Sequence, residues 1–450
     1  MSDTLVVVGG DAAGLSAASK ARREDPEMDV VVFEKGQWVS YAACGMPYYV
    51  KGDVAELEDL IALTPEEIRE ERGIDLRTGH EVVGVDTESQ TVTVAADGET
   101  FDQAYDHLLI GTGASAVVPP FDGTDLDGVF TIHDMDEADA IERYVTEGTP
   151  ESAAIVGGGY VGIEMAEALS ARGLDVSLYE MLPNVLQPFG EAVADVVEDH
   201  LRDQGVDLHL DTAVAGFAGE GRVDEVHLDG GDSHSADIAI VGVGVKPNAA
   251  LAENAAIERG PTGAIATDEY GRTSAANVYA AGDCAEDFHV VTGEPEHVPL
   301  ALTANRAGRA IGQTVTGSPT VVGETAGTAI VKAFDLGAAR TGIVDEERAR
   351  DAGFDPVSVT ITDATRPHYY PGNEEIQVML VADRETGAVL GGSVVGRDGA
   401  KRIDTVATAL HGGLTVTELQ NADLAYAPPF SPVWDPVLTA AKVLAGKLER

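Results

Sequence analysis

Ala153-Ala154-Ile155-Val156-Gly157-Gly158-Gly159-Tyr160-Val161-Gly162-Ile163-Glu164 opens the stretch whose reading decides the fold. Ala153 to Val156 make a short buried strand, Gly157 to Gly162 a tight turn, and a helix is expected from Ile163 to Arg172 before a second strand from Val176 to Glu180. In such a turn glycine lets the backbone approach a pyrophosphate, and the helix behind it offers N-terminal amides and a positive dipole end to the phosphates. An acid closing the second strand binds the ribose hydroxyls. Glu180, eighteen residues beyond Gly162, is that acid, so every part of a dinucleotide-binding unit is present.

The same grammar stands at the N-terminus. Thr4 to Val8 is a strand, Gly9-Gly10-Asp11-Ala12-Ala13-Gly14 the turn, Leu15 to Glu24 a helix and Val30 to Glu34 the second strand, with Glu34 twenty residues after Gly14. Asp11 stands where the middle glycine belongs. One turn of this kind is often a plain loop between strand and helix. Two, each closed by an acid, point to two bound dinucleotides. A carboxylate at the ribose favours two free hydroxyls over a 2′-phosphate, so Glu180 favours NADH, with NADPH as the alternative, and no basic residue occurs from Met181 to Asn184.

Beyond these units, Leu108-Leu109-Ile110-Gly111-Thr112-Gly113-Ala114 and Val278-Tyr279-Ala280-Ala281-Gly282-Asp283 each read as a buried strand running into a turn of small residues. From about Gly323 the style changes to alternating strands (Thr325 to Ala333, Val357 to Thr362, Gln377 to Ala382, Val389 to Val395) and helices (Arg402 to His411, Val416 to Asn421, Pro436 to Leu448), an α+β pattern.

The 450 residues are enough for two or three domains. Against 77 Asp plus Glu stand 29 Lys plus Arg, a formal net charge of -48 that repels nucleic acid and anionic membranes. The acids are spread along periodic segments such as Pro65 to Ile74 and Gly190 to Gln204, which read as solvated helix faces, and so acidic a surface points to the salt-rich cytoplasm of a halophilic cell. There is no signal peptide pattern and no apolar run of membrane-spanning length, so a soluble cytoplasmic protein is expected. Two cysteines, Cys44 and Cys284, are too few for a disulfide framework or a structural metal site, and no metal is expected. Cys284 reads as a small buried hydrophobe.

Together these segments resemble the FAD-dependent pyridine nucleotide-disulfide oxidoreductases over essentially the whole chain. The resemblance implies an α/β protein with two Rossmann-like domains, an FAD-binding domain split over residues 1–115 and 246–320 around a nicotinamide-dinucleotide domain at 116–245, followed by a dimerisation domain at 321–450. FAD contacts are implied at Gly9, Gly10, Asp11, Ala12, Ala13, Gly14, Glu34, Lys35, Val82, Thr112, Gly113, Asp283 and Ala301, with Asp283 on the ribityl chain. Those of NAD(P)H fall at Gly157, Gly159, Tyr160, Gly162, Glu164, Glu180 and Gly244.

Within the family, Ser40-Tyr41-Ala42-Ala43-Cys44-Gly45-Met46-Pro47-Tyr48-Tyr49 resembles the single-cysteine active site of coenzyme A-disulfide reductases and related NADH oxidases. The two-cysteine branch carries a second cysteine five positions on, where Tyr49 stands here. Cys44 precedes a helix start at Gly45 to Tyr49, whose dipole is expected to lower the thiol pKa. The resemblance places Ser16, Lys20, Arg23, Ser40, Ala43, Arg72, Asn305 and Trp434 along a coenzyme A groove, although relatives carry a polar side chain at Ala43 and often a lysine at Trp434. It implies that Tyr369, Tyr370 and Tyr426 reach the cysteine of the other subunit of a homodimer as proton donors; no histidine follows His411 to take the part.

The expected reaction is reduction of a low-molecular-weight disulfide, coenzyme A disulfide foremost, by NAD(P)H through FAD and Cys44. Its rivals are a water-forming NADH oxidase, which would use Cys44 as a sulfenic acid, and a persulfide reductase, for which no rhodanese-like domain is expected after Arg450. From another class comes a flavin-binding redox sensor or electron-transfer protein, which would not need Cys44.

Overall fold

Leu5, Val6 and Val7 are wholly buried, as a parallel strand covered on both faces requires. They belong to β1 (Thr4–Val8), which runs through the first glycine turn into α1 (Ala12–Glu24) and on to β2 (Asp29–Glu34) in a computed structural model that describes residues 2–449. β1 pairs in parallel with β2 and with His107–Ile110. Asp75–Thr78 extends the sheet beyond β2, and Val278–Ala280 extends it beyond His107–Ile110. A strand from residue 278 therefore completes a sheet begun at residue 4. After β2 the chain makes a 3-10 turn at Ala43–Gly45 and a six-residue helix, α2 (Met46–Lys51).

A second five-stranded sheet is built around β3 (Ser152–Val156) and β4 (Asp175–Tyr179), joined by α3 (Tyr160–Ala171). Asp207–His209 lies outside β4, and Ile238–Val241 and Val129–Phe130 lie on the other side of β3. Between the two sheets the chain crosses twice, and the crossings pair antiparallel as Ala114–Ala116 with Val245–Pro247. Further on, α4 (Ala301–Thr314) lies along α1.

The third unit is a five-stranded antiparallel sheet in the order 329–333, 336–342, 389–396, 375–383, 356–364, covered by helices Ile403–His411 and Pro436–Leu448. One apolar core crosses the units. Met46 and Val50 of α2, Met165 and Leu169 of α3, Val197 and Leu201 of helix Glu191–Asp203, and Val331 and Ala333 of the third sheet pack into one cluster.

The structure departs from the sequence reading in places. Both Rossmann helices begin three residues earlier than expected, at Ala12 and Tyr160, because the glycine turn feeds straight into helical backbone. The segment read as one strand from Thr325 to Ala333 is a strand only from Ala329, and it turns back through Phe334, at a left-handed φ of 56°, into Leu336–Gly342. That partner strand is mostly small residues, which carry little β propensity; burial between two neighbours makes it a strand. Pro65 to Ile74 forms one wide turn at Glu67–Glu71 with Ile68 buried, whereas Glu191–Asp203 is the amphipathic helix expected there.

Candidate active site

The two glycine turns are built alike. Gly10 donates its backbone N–H to Glu34 Oε2 at 2.8 Å, and Gly36 donates to Oε1 at 2.8 Å. In the second unit Gly158 donates to Glu180 Oε2 at 2.7 Å and Leu182 to Oε1 at 2.9 Å. Each carboxylate thus caps its own turn and keeps lone pairs free for a ribose. The last glycine of each turn is sterically required: a Cβ on Gly14 would lie 2.0 Å from the Gly9 carbonyl oxygen, and one on Gly162 would lie 1.8 Å from that of Gly157. The middle position differs. A Cβ on Gly159 would meet nothing within 4 Å, so the turn leaves open room there for phosphate. In the first turn Asp11 occupies that position, and burial pushes its carboxyl up to about 6, opposed by the Ala12 and Tyr41 amides and reinforced by Glu34 and Asp283.

The residues assigned to FAD come from distant parts of the chain. Asp283 follows Val278–Ala280, at the end of the first sheet that holds Gly9 to Gly14; burial pushes its carboxyl up, and His297 and His133 oppose that. His297 Nε2 lies 2.8 Å from the Asp283 carbonyl oxygen. Thr112 Oγ1 donates to the Asn248 carbonyl at 2.7 Å, and the Asn248 side chain donates to the carbonyls of Thr112 (3.0 Å) and Ala114 (2.8 Å). Gly113 accepts the Asn248 N–H. Asn248 stitches the crossing closed, and no motif marked it in the sequence. Gly244 has a left-handed φ and accepts the Val117 N–H across the same crossing. Val82 is buried in the core beside Val8 and Phe33, Lys35 is exposed after β2, and Ala301 begins α4. A glycine turn feeding a helix N-terminus, a capped acid and a half-buried Asp283 suit a flavin dinucleotide.

Cys44 sits in the 3-10 turn ahead of α2. Water reaches it, yet burial by the surrounding protein pushes the thiol up, and Glu164 and Asp283 push it further. The expected lowering by a helix N-terminus is therefore corrected: α2 has six residues and starts two positions after Cys44, so its dipole is outweighed. Glu164 on α3 accepts a hydrogen bond from Tyr48 Oη at 3.2 Å. Burial pushes the Glu164 carboxyl up to about 7, with Tyr48 and Lys332 opposing and Glu167 adding. The Tyr160 ring packs against Phe189, with centroids 5.5 Å apart. Cys284 is fully buried with Sγ 3.4 Å from the carbonyls of Ile110 and Ala281.

Ser16, Lys20 and Arg23 share one face of α1. Ser16 donates to Asn305 Oδ1 of α4 at 2.6 Å, Lys20 pairs with Glu24, and Arg72 donates to Ser19 Oγ at 2.8 Å. Ser40 adopts a left-handed φ and donates its N–H to Gly10, which ties this loop to the first turn, and Ala43 leads into Cys44. Arg309, one turn beyond Asn305 and exposed, extends the basic face; a lone arginine in a helix gave no signal in the sequence. Tyr369 and Tyr426 meet, with hydroxyls 3.4 Å apart, and both are exposed. Tyr370 stands beside them in sequence, and exposed Trp434 lies under the Lys442 ammonium at 5.6 Å. These four residues belong to the third unit, not to the α1 face.

The chain matches the model of the pyridine nucleotide-disulphide oxidoreductase family over residues 3–307 and that family's dimerisation domain over residues 328–436. It is 42% identical over 445 residues to the NAD(P)H coenzyme A polysulfide/persulfide reductase of Pyrococcus horikoshii, covering 99% of both chains. It is 32% identical over 431 residues to the coenzyme A disulfide reductase of Staphylococcus haemolyticus, covering 95% of this chain and 96% of that one. Among solved structures, an NAD-dependent persulfide reductase from A. fulgidus superposes with a TM-score of 0.95 at 39% identity, over 99% of this chain and 83% of that one.

Proposed function

Because the chain belongs to the pyridine nucleotide-disulphide oxidoreductase family, and is thus an NAD(P)H-dependent flavoprotein oxidoreductase, we propose that it reduces a sulfur–sulfur bond carried by coenzyme A. The observation that carries this reading is the basic face of α1 and α4, on the helix that follows the glycine turn to which Ser40, four residues before Cys44, is hydrogen-bonded. In a chain of net charge -48, Lys20, Arg23, Arg72 and Arg309 gather there, and a polyphosphate ligand needs such cations. Coenzyme A disulfide is the first substrate of choice. The likeness to the Pyrococcus reductase favours coenzyme A persulfide as the second.

Residues 1–115 and 246–320 hold FAD, 116–245 hold the nicotinamide dinucleotide, and 321–450 form the dimer contact, with exposed Tyr369, Tyr426, Phe430 and Trp434 toward the partner. NADH is preferred, since Glu180 and the absence of a base from Met181 to Asn184 disfavour a 2′-phosphate. Among the described residues no helix is long and apolar enough to cross a membrane.

Gly9 to Gly14, Glu34 and Asp283 would hold FAD, which would supply two-electron chemistry between the nicotinamide and sulfur. The Cys44 thiolate attacks the substrate disulfide, forming a Cys44–S–S–R bond and releasing one thiolate; two electrons then cleave that bond, freeing the second and restoring Cys44. One NADH and one proton are consumed for two thiols formed. Tyr426, with Tyr369 or Tyr370, reaches across the dimer and donates a hydrogen bond to the sulfur departing at the other subunit's Cys44. Glu164 and Tyr48 border the nicotinamide and hold a proton on the Cys44 side of α3.

The test compares coenzyme A disulfide with glutathione disulfide and cystine in wild type and Arg23→Ala. Coenzyme A disulfide is expected to lead in kcat/KM by about 100-fold or more, and Arg23→Ala to raise its KM alone. Equal use of all three disulfides would remove coenzyme A from the account.

A further inference from the structure

Glu167 is 4% exposed and lies one turn beyond Glu164 on the face of α3 that meets α2. Two contacts in matched spacing join these helices: Tyr48 to Glu164 at 3.2 Å, and Lys51 to Glu167 at 3.0 Å. Glu167 also takes Lys332 Nζ at 2.6 Å and the Phe334 backbone N–H at 2.7 Å, both from the hairpin of the third sheet. Two of the chain's eight lysines thus converge on one buried carboxylate. Lys51 is shared with exposed Asp53 at 2.7 Å, whereas Lys332 has no other ion pair among the described residues. The next hairpin residue, Asp335, reaches His200 of helix Glu191–Asp203 at 3.0 Å and pairs with Arg397. The hairpin tip is therefore anchored on the unit that carries the second glycine turn, through a buried carboxylate and a half-exposed ammonium.

We propose that Glu167 is a positioning residue which makes the nucleotide turn at the head of α3 and the Cys44 turn at the head of α2 move as one body, so that nucleotide occupancy reaches Cys44 through Lys51 and through the hairpin at Lys332. The inference rests on the nucleotide and Cys44 assignments above but not on the disulfide substrate, so its test uses none.

The experiment is alkylation of Cys44 by iodoacetamide in the FAD-loaded protein, with and without saturating NAD+. In wild type NAD+ changes the rate by about fivefold or more. In Glu167→Gln and in Lys332→Met the two rates converge, while flavin content and melting temperature remain close to wild type; Lys332→Arg keeps the nucleotide effect. A wild-type rate indifferent to NAD+, or an undiminished effect in both variants, overturns the proposal. Should Glu167→Gln not fold, the half-exposed Lys332→Met decides alone, an undiminished effect counting against it. Either failure leaves the coenzyme A reading standing, since turnover of coenzyme A disulfide is measured separately.

Discussion

At the scale of single residues, the Glu164 carboxylate acts on the Cys44 thiol. The thiol is held up by burial first and by the Glu164 carboxylate next, and Glu164 itself ionises at about 7. Below that pH Glu164 is neutral and does not oppose the thiolate; above it, its negative charge does. Glu164→Gln removes that charge, so the pH midpoint of Cys44 alkylation is expected to fall below that of wild type. An unchanged or higher midpoint would mean that the two groups do not sense each other. The motif around Cys44 was legible in the sequence because it lies within ten consecutive residues. Its electrostatic setting was not, since Glu164 arrives from a helix 120 residues away and α2 is too short to show its length in an apolar pattern.

Among elements, the second glycine turn separates folding from binding. Gly162 contacts its own turn, and a Cβ there would collide with the Gly157 carbonyl, so Gly162→Ala is expected to destabilise the unit and abolish NADH binding together. Gly159 has an ordinary φ of -82° and open space before it. Gly159→Ala should therefore melt like wild type yet raise the KM for NADH about tenfold, because the methyl stands where phosphate approaches. Thermal melts and steady-state kinetics on the two variants check this; a Gly159→Ala enzyme with wild-type KM would show that the pyrophosphate lies elsewhere. Both Rossmann units could be read from strand, turn, helix and acid because those parts are local. The hairpin through Phe334 could not, since alanine and glycine in Leu336–Gly342 give no strand signal until their neighbours bury them.

For the whole molecule, charge dominates. A net charge of -48 on 450 residues repels itself at low ionic strength. Raising KCl from about 0.1 M to about 2 M is expected to raise the melting temperature by more than about 5 °C. A flat or falling melt would show that the acidic surface is already balanced. Composition alone carried this expectation. The assembled site, in contrast, was legible only in pieces: Asp283, Asn248 and Arg309 join Gly9 to Gly14 and α1 through sheet closure and helix packing, long-range contacts that no local pattern encodes.

In the proposed reaction electrons from NADH reach a substrate disulfide through Cys44. Anaerobic consumption of NADH with coenzyme A disulfide, in molar salt, wild type against Cys44→Ser, tests it most directly. Steady turnover with two thiols released per NADH is expected in wild type, and loss of at least about 1000-fold in the variant. No anaerobic turnover, together with brisk oxygen uptake in air, would contradict it and identify an oxidase instead.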